Sequence, residues 1–129
     1  MTGSPMRVLI IEDVELNRDL LEQMLEDRCE VLSAPDGENG LRLARSGAPD
    51  VILLDLGLPG MDGWEVARAV RGDPALGDVF VVALTAHAME GDRERAIAAG
   101  CDEYLTKPID ERILFQVLER AARRVGSPS

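Results

Sequence analysis

Short unbroken apolar runs alternate along the chain with stretches whose apolar residues recur every three or four positions. Arg7-Val8-Leu9-Ile10-Ile11, Val51-Ile52-Leu53-Leu54 and Val79-Phe80-Val81-Val82-Ala83-Leu84 are the strong runs. Runs of this length, rich in β-branched residues and apolar at successive positions, suit strands buried on both faces of a parallel sheet. Glu30-Val31-Leu32-Ser33-Ala34 and Glu103-Tyr104-Leu105-Thr106 are weaker strand candidates. Between the strands, Leu16, Leu20, Leu21, Met24 and Leu25 make one helical stripe, and Leu41 with Ala44 makes a shorter one. Trp64, Ala67 and Val70 follow Asp62, which has the position of an N-cap with Glu65 three residues on. Met89, Arg93, Ala96, Ile97 and Gly100 outline a polar fourth helix. Ile113, Leu114, Val117, Leu118 and Ala121 line the last one, with Asp110 as its expected N-cap.

This is β-α repeated five times. It predicts an α/β domain over 7–125, a parallel sheet with helices on both faces, and short tails at 1–6 and 126–129. Right-handed crossovers prune its topologies. In such open sheets ligands bind at the carboxyl ends of the strands, near the point where strand order reverses. We find no internal repeat and no linker, and no output domain is expected after Val125.

Composition narrows the function. At 129 residues and 46% hydrophobic, the chain can bury the core of one domain. It contains no run of about 18 apolar residues. Its start, MTGSPMRVLIIED, lacks the features of a signal peptide, so a cytoplasmic location is expected. Fourteen basic against 24 acidic residues, net −10, disfavour direct binding to nucleic acid. Cys29 and Cys101 lack C-x-x-C spacing and His87 completes no metal cluster, so both cysteines read as small, reduced core residues. Thirteen of the basic residues are arginine, which draws attention to the single lysine, Lys107.

The strand ends carry the chemistry. Glu12 and Asp13 follow the first strand, Asp55 the third, Thr85 the fourth and Lys107 the fifth, with Pro108 next. The fold would bring three carboxylates, a hydroxyl and the only lysine to one edge. Adjacent carboxylates repel unless a cation neutralises them. An all-oxygen donor set favours a hard ion such as Mg²⁺. Phosphoryl transfer needs positioning and charge neutralisation more than covalent machinery, and a carboxylate can serve as its nucleophile.

These residues resemble the receiver domain of two-component response regulators, over about Arg7 to Val125. The likeness rests on Glu12-Asp13, on Asp55-Leu56-Gly57-Leu58-Pro59-Gly60-Met61-Asp62-Gly63, on Ala83-Leu84-Thr85-Ala86 and on Tyr104-Leu105-Thr106-Lys107-Pro108, in that order. It implies a flavodoxin-like (βα)5 fold with strand order 2-1-3-4-5. It also implies that Asp55 is the phosphoacceptor, and that Asp13, Asp55 and the Gly57 carbonyl ligate Mg²⁺, with Glu12 acting through water. Lys107 would pair with the phosphoryl group, or with Asp55 when that is empty. Thr85 and Tyr104 would form the switch, and the Lys107–Pro108 peptide is often cis in the family. The expected donor is a histidine kinase or histidine phosphotransfer protein. The expected output is a protein partner on the face made by the fourth helix, fifth strand and fifth helix, with the chain a monomer. Thr85-Ala86-His87-Ala88-Met89 and Glu15-Leu16-Asn17-Arg18 resemble, more finely, single-domain cell-cycle-type regulators and receivers of hybrid histidine kinases.

Leu58 stands where methionine is common, a volume-conserving change. Gly57 offers no side chain over the site, and His87 lies two residues past Thr85; the resemblance implies that these two positions tune the phosphoryl lifetime. His87 otherwise reads as a solvent-facing loop residue, Trp64 as a packing residue, and Met24, Met61 and Met89 as fillers. Other functions fit less well. Aspartyl-phosphate phosphatases use a second acid where Gly57 stands, and no G-x-x-x-x-G-K-[ST] loop is present. A flavodoxin-like cofactor binder would leave the converging carboxylates unexplained. A pseudo-receiver scaffold would not need the full set. The chain reads as a stand-alone regulator or, alternatively, as a receiver cut from a hybrid histidine kinase.

Overall fold

The computed structural model describes residues 5–86 and 88–125. Five strands alternate with five helices: β1 (Arg7–Ile11), α1 (Glu15–Leu25), β2 (Glu30–Ala34), α2 (Gly37–Gly47), β3 (Val51–Asp55), α3 (Gly63–Arg71), β4 (Phe80–Thr85), α4 (Asp92–Ala98), β5 (Glu103–Thr106) and α5 (Glu111–Val125). A single 3-10 turn, Pro74–Leu76, precedes β4. All strand pairs are parallel, in the order β2-β1-β3-β4-β5. The expected order 2-1-3-4-5 is the observed one.

The unbroken apolar runs are explained by the two layers. Successive side chains on a strand point to opposite faces. Val8, Ile10, Val51, Leu53, Val82 and Leu84 pack under α1 and α5, where they meet Leu21, Leu25, Leu114 and Val117. Leu9, Ile11, Ile52, Leu54, Val81 and Ala83 pack on the other face against α2, α3 and α4. Both faces of the three central strands are therefore dry, which removes the polar alternation of a half-exposed strand.

Helix starts follow local chemistry. Asp62 and Glu65 form a reciprocal capping box, with Glu65 N–H donating to Asp62 Oδ1 at 2.9 Å and Asp62 N–H to Glu65 Oε1 at 3.2 Å. Asp110 Oδ1 accepts from Arg112 N–H at the head of α5. The edge of the fold reaches Met6, whose carbonyl accepts from Glu30 N–H and whose side chain packs against the α1–α5 layer.

Two expectations change. The fourth helix is shorter than the spacing suggests. Gly91, at φ 87°, breaks the chain before Asp92, whose carboxylate accepts from Met89 N–H. Met89 thus lies outside α4 and is 72% exposed, and Gly100 lies past its end at φ 113°. On α1, Leu21 and Leu25 are buried, but Leu16 is 67% exposed and Leu20 is also exposed. The apolar arc of α1 is wider than the strip the sheet covers. Ile97 and Ile113, assigned to helix stripes, are likewise exposed.

Candidate functional site

Parallel strands deliver their carboxyl ends to one edge, and the strand order reverses between β1 and β3, opening a crevice there. Register sets the depth of each residue: Ile11 pairs with Leu54, Asp55 with Leu84, and Thr85 with Thr106. Glu12 and Asp13 therefore emerge beside Asp55, and Lys107 one residue beyond the end of β5. One oxygen from each of Glu12, Asp13 and Asp55 lies within 4.8 Å of the others.

Glu12 has no exposed surface. Its Oε1 accepts from Lys107 Nζ at 2.7 Å and its Oε2 from Val14 N–H at 3.1 Å. Burial raises its pKa; the bonds from Lys107 and Val14 oppose that rise and the charge of Asp55 adds to it. Burial pulls the Lys107 ammonium down, but the Glu12 bond and the charges of Asp55 and Glu12 outweigh it and hold Lys107 above its ordinary value. Lys107 also reaches Asp55 Oδ2 at 3.4 Å. It lies between two carboxylates, nearer to Glu12 than to the Asp55 that was expected as its partner. Its backbone N–H donates to the Thr85 carbonyl at 2.8 Å, tying β5 to β4, and the Lys107–Pro108 peptide is cis.

Asp55 is buried, and its Oδ1 accepts from Gly57 N–H at 2.9 Å. A Cβ at Gly57 would stand 3.6 Å from that oxygen, so any side chain there would overhang the carboxylate. Gly63 is required by packing: a Cβ there would collide with the Asp55 carbonyl and Leu56 Cα. Helix α3 therefore begins directly against the backbone of the reactive strand end. Asp13 is exposed to solvent. Thr85 ends β4, half-buried.

Tyr104 is 8% exposed, packed with the α2–α4 layer, and its hydroxyl has no hydrogen-bond partner among the described residues. Burial pushes the phenol up, and the charge of Asp92 adds to the rise. His87 lies outside the described residues. The site also uses a residue whose role no sequence spacing foretells: Arg18 on α1 donates from Nη1 to the Glu12 carbonyl at 2.9 Å.

Among the described residues the donor set is all oxygen, with neither imidazole nor thiolate, and is partly open to solvent. It fits a hard divalent cation, not zinc or copper.

Residues 8–119 match the response regulator receiver domain family. The chain is 43% identical over 110 residues to the response regulator PleD of Caulobacter vibrioides, covering 84% of this chain and 24% of that protein. It is 42% identical over 106 residues to the polar-differentiation response regulator DivK of Brucella anthropi, covering 81% of this chain and 86% of that one. It thus spans about a quarter of the first relative and most of the second. Among solved structures, the receiver domain of a sensor histidine kinase from Pseudomonas aeruginosa superposes with a TM-score of 0.83 at 35% identity, covering 91% of this chain and 97% of that one; a magnesium ion is coordinated in that protein's active site cleft. Fold, strand-end chemistry and sequence agree, and the chain belongs to the response regulator receiver domain family of two-component signalling.

Proposed function

We propose that Asp55 accepts a phosphoryl group from the phosphohistidine of a histidine kinase or histidine phosphotransfer protein. One observation carries this reading. The buried Asp55 carboxylate has an ammonium at 3.4 Å and two further carboxylates clustered beside it, the charge pattern that phosphoryl transfer requires.

An Asp55 oxygen attacks phosphorus, the new O–P bond forms as the donor's N–P bond breaks, and the released imidazole takes up a proton. Asp13, Asp55 and the Gly57 carbonyl would hold Mg²⁺, with Glu12 acting through water. When bound, Mg²⁺ supplies the positive charge that lets a phosphoryl dianion approach three carboxylates. Lys107, already placed between Glu12 and Asp55, swings its ammonium to a phosphoryl oxygen. Thr85 donates a further hydrogen bond to it, and the inward-packed Tyr104 follows that movement.

The output face is α4-β5-α5. Ile97 and Ile113 are exposed there, and Arg93 at 3.8 Å and Arg120 at 2.9 Å converge on Glu103 between them. Phosphorylation shifts the population of this face toward a form with a different protein partner. The chain acts as a signalling switch, not a turnover enzyme, and as a monomer without direct contact to nucleic acid. No helix among the described residues is long and apolar enough to cross a membrane.

The test is intact mass after incubation with acetyl phosphate and Mg²⁺. We expect one phosphoryl adduct that disappears in Asp55→Asn and with EDTA. An adduct that survives in Asp55→Asn sinks the assignment, and no adduct from acetyl phosphate or from a phosphohistidine protein returns the chain to a scaffold role.

A further inference from the structure

We propose that Arg18 is a positioning residue for the cation site, acting through the Glu12–Asp13 peptide; the inference rests on the metal-site reading above. Asp13 is exposed, and its carboxylate accepts no hydrogen bond from another described residue. Its direction is set by the backbone that carries it.

That backbone is held from both sides. Glu12 N–H donates to the Ala34 carbonyl at 3.1 Å, which fixes the entry to the turn. Val14 N–H donates to Glu12 Oε2 at 3.1 Å, which fixes its exit. Between them lies the Glu12–Asp13 peptide, and its carbonyl accepts from Arg18 Nη1 at 2.9 Å. A peptide unit is planar, so fixing its carbonyl fixes the plane that runs to the Asp13 Cα. Arg18 is half-buried and sits one turn inside α1, on a helix anchored by Leu21 and Leu25. A charge-assisted bond from a guanidinium is stronger than a neutral one. The helix thereby transmits its own rigidity to a carboxylate that has no hydrogen-bond partner among the described residues.

The charge of Arg18 works in the opposite direction. A fixed cation behind an acidic cluster opposes a second cation in front of it. Removing Arg18 would tighten Mg²⁺ binding on electrostatic grounds alone, and weaken it if positioning dominates. The sign separates the two.

The experiment is calorimetric titration of the whole chain with MgCl₂ at pH 7, for wild type, Arg18→Met, Arg18→Lys and Asp13→Asn, with thermal melts to verify folding. Loss of one aligned, charge-assisted bond should weaken Mg²⁺ binding in Arg18→Met by about tenfold. Arg18→Lys, which keeps a charged donor, should recover most of that, to within about threefold of wild type. The rate of phosphorylation by acetyl phosphate should return close to wild type at saturating Mg²⁺. Arg18→Met binding Mg²⁺ as tightly as wild type, or more tightly, overturns the proposal. Should that variant not fold, Arg18→Gln replaces it: weaker binding supports positioning, and tighter binding overturns it. Wild type that takes up no Mg²⁺, or Asp13→Asn that binds as wild type does, removes the metal-site reading itself and is recognised by those two samples alone.

Discussion

Replacing Lys107 by methionine strips a fully buried carboxylate of its counter-ion while keeping most of the side-chain volume. Lys107 Nζ stands 2.7 Å from Glu12 Oε1 and 3.4 Å from Asp55 Oδ2. At an effective dielectric of about 20 those distances correspond to gross attractions of roughly 6 and 5 kcal/mol, before desolvation of the ammonium is subtracted. In the variant, Glu12 keeps only the Val14 N–H and can escape the uncompensated charge by taking a proton. Protonation sets the ceiling on the penalty from Glu12. From an ordinary value of 4.5, binding a proton at pH 7 costs about 3.4 kcal/mol. At pH 5 the same step costs only about 0.7 kcal/mol. A carboxylate whose folded pKa lies above its unfolded one binds more protons when folded. Its penalty is therefore complete above the folded value and vanishes below the unfolded value.

We thus expect Lys107→Met to be about 3 kcal/mol less stable than wild type at pH 7, a fall in melting temperature of about 10 °C for a domain of this size. The gap should close to under about 1 kcal/mol at pH 5. Urea unfolding at several pH values between 5 and 8, without divalent cations, measures it. In the double variant with Glu12→Gln the loss at pH 7 should shrink, because no buried charge is left unpaired. An equal gap at pH 5 and pH 7, or no gap at pH 7, would refute the pairing of Glu12 with Lys107 as the source of the effect.

Tyr104→Phe removes a buried hydroxyl that has no partner among the described residues, so the variant should be at least as stable as wild type, by up to about 1 kcal/mol; a clear loss in urea unfolding would show that the hydroxyl is bonded in solution. Gly63→Ala forces a methyl into the Asp55 carbonyl and should cost about 2–3 kcal/mol and slow phosphorylation, with a wild-type rate of adduct formation counting against the close approach of α3. Asp62→Ala breaks the capping box of α3 and should lower the urea midpoint by an amount equivalent to about 1 kcal/mol, with the denaturant slope unchanged.

Much of this protein is written in short-range pattern. A strand inside a doubly covered parallel sheet must be apolar at every position, and the runs through Ile11, Leu54 and Leu84 declare that without reference to distant chain. A capping box closes within four residues, so Asp62 and Glu65 announce the start of α3 by themselves. Once the strands are parallel, whatever follows each of them must share one edge, and this places Glu12, Asp13, Asp55, Thr85 and Lys107 together before any distance is known. The turn at Gly91 that trims α4 is equally local, yet apolar spacing does not register it, because helical periodicity continues through Met89 on paper while the backbone has already turned away.

What remained for the tertiary structure was the choice among partners. An apolar arc on α1 reads the same whether the sheet covers all of it or, as here, leaves Leu16 and Leu20 exposed. Lys107 reaches Glu12 across 95 positions of chain, and which of two neighbouring carboxylates it favours depends on sub-ångström placement of β1 against β5. Arg18 finds the Glu12 carbonyl, and Tyr104 finds a dry pocket with no hydrogen-bond partner among the described residues, only because of how each element lies on the sheet. Periodicity and capping are properties of neighbouring residues, so the amino-acid order decides elements, layers and the edge that bears the chemistry. Pairing energies fall steeply with distance and with burial, and both are set only when the layers close.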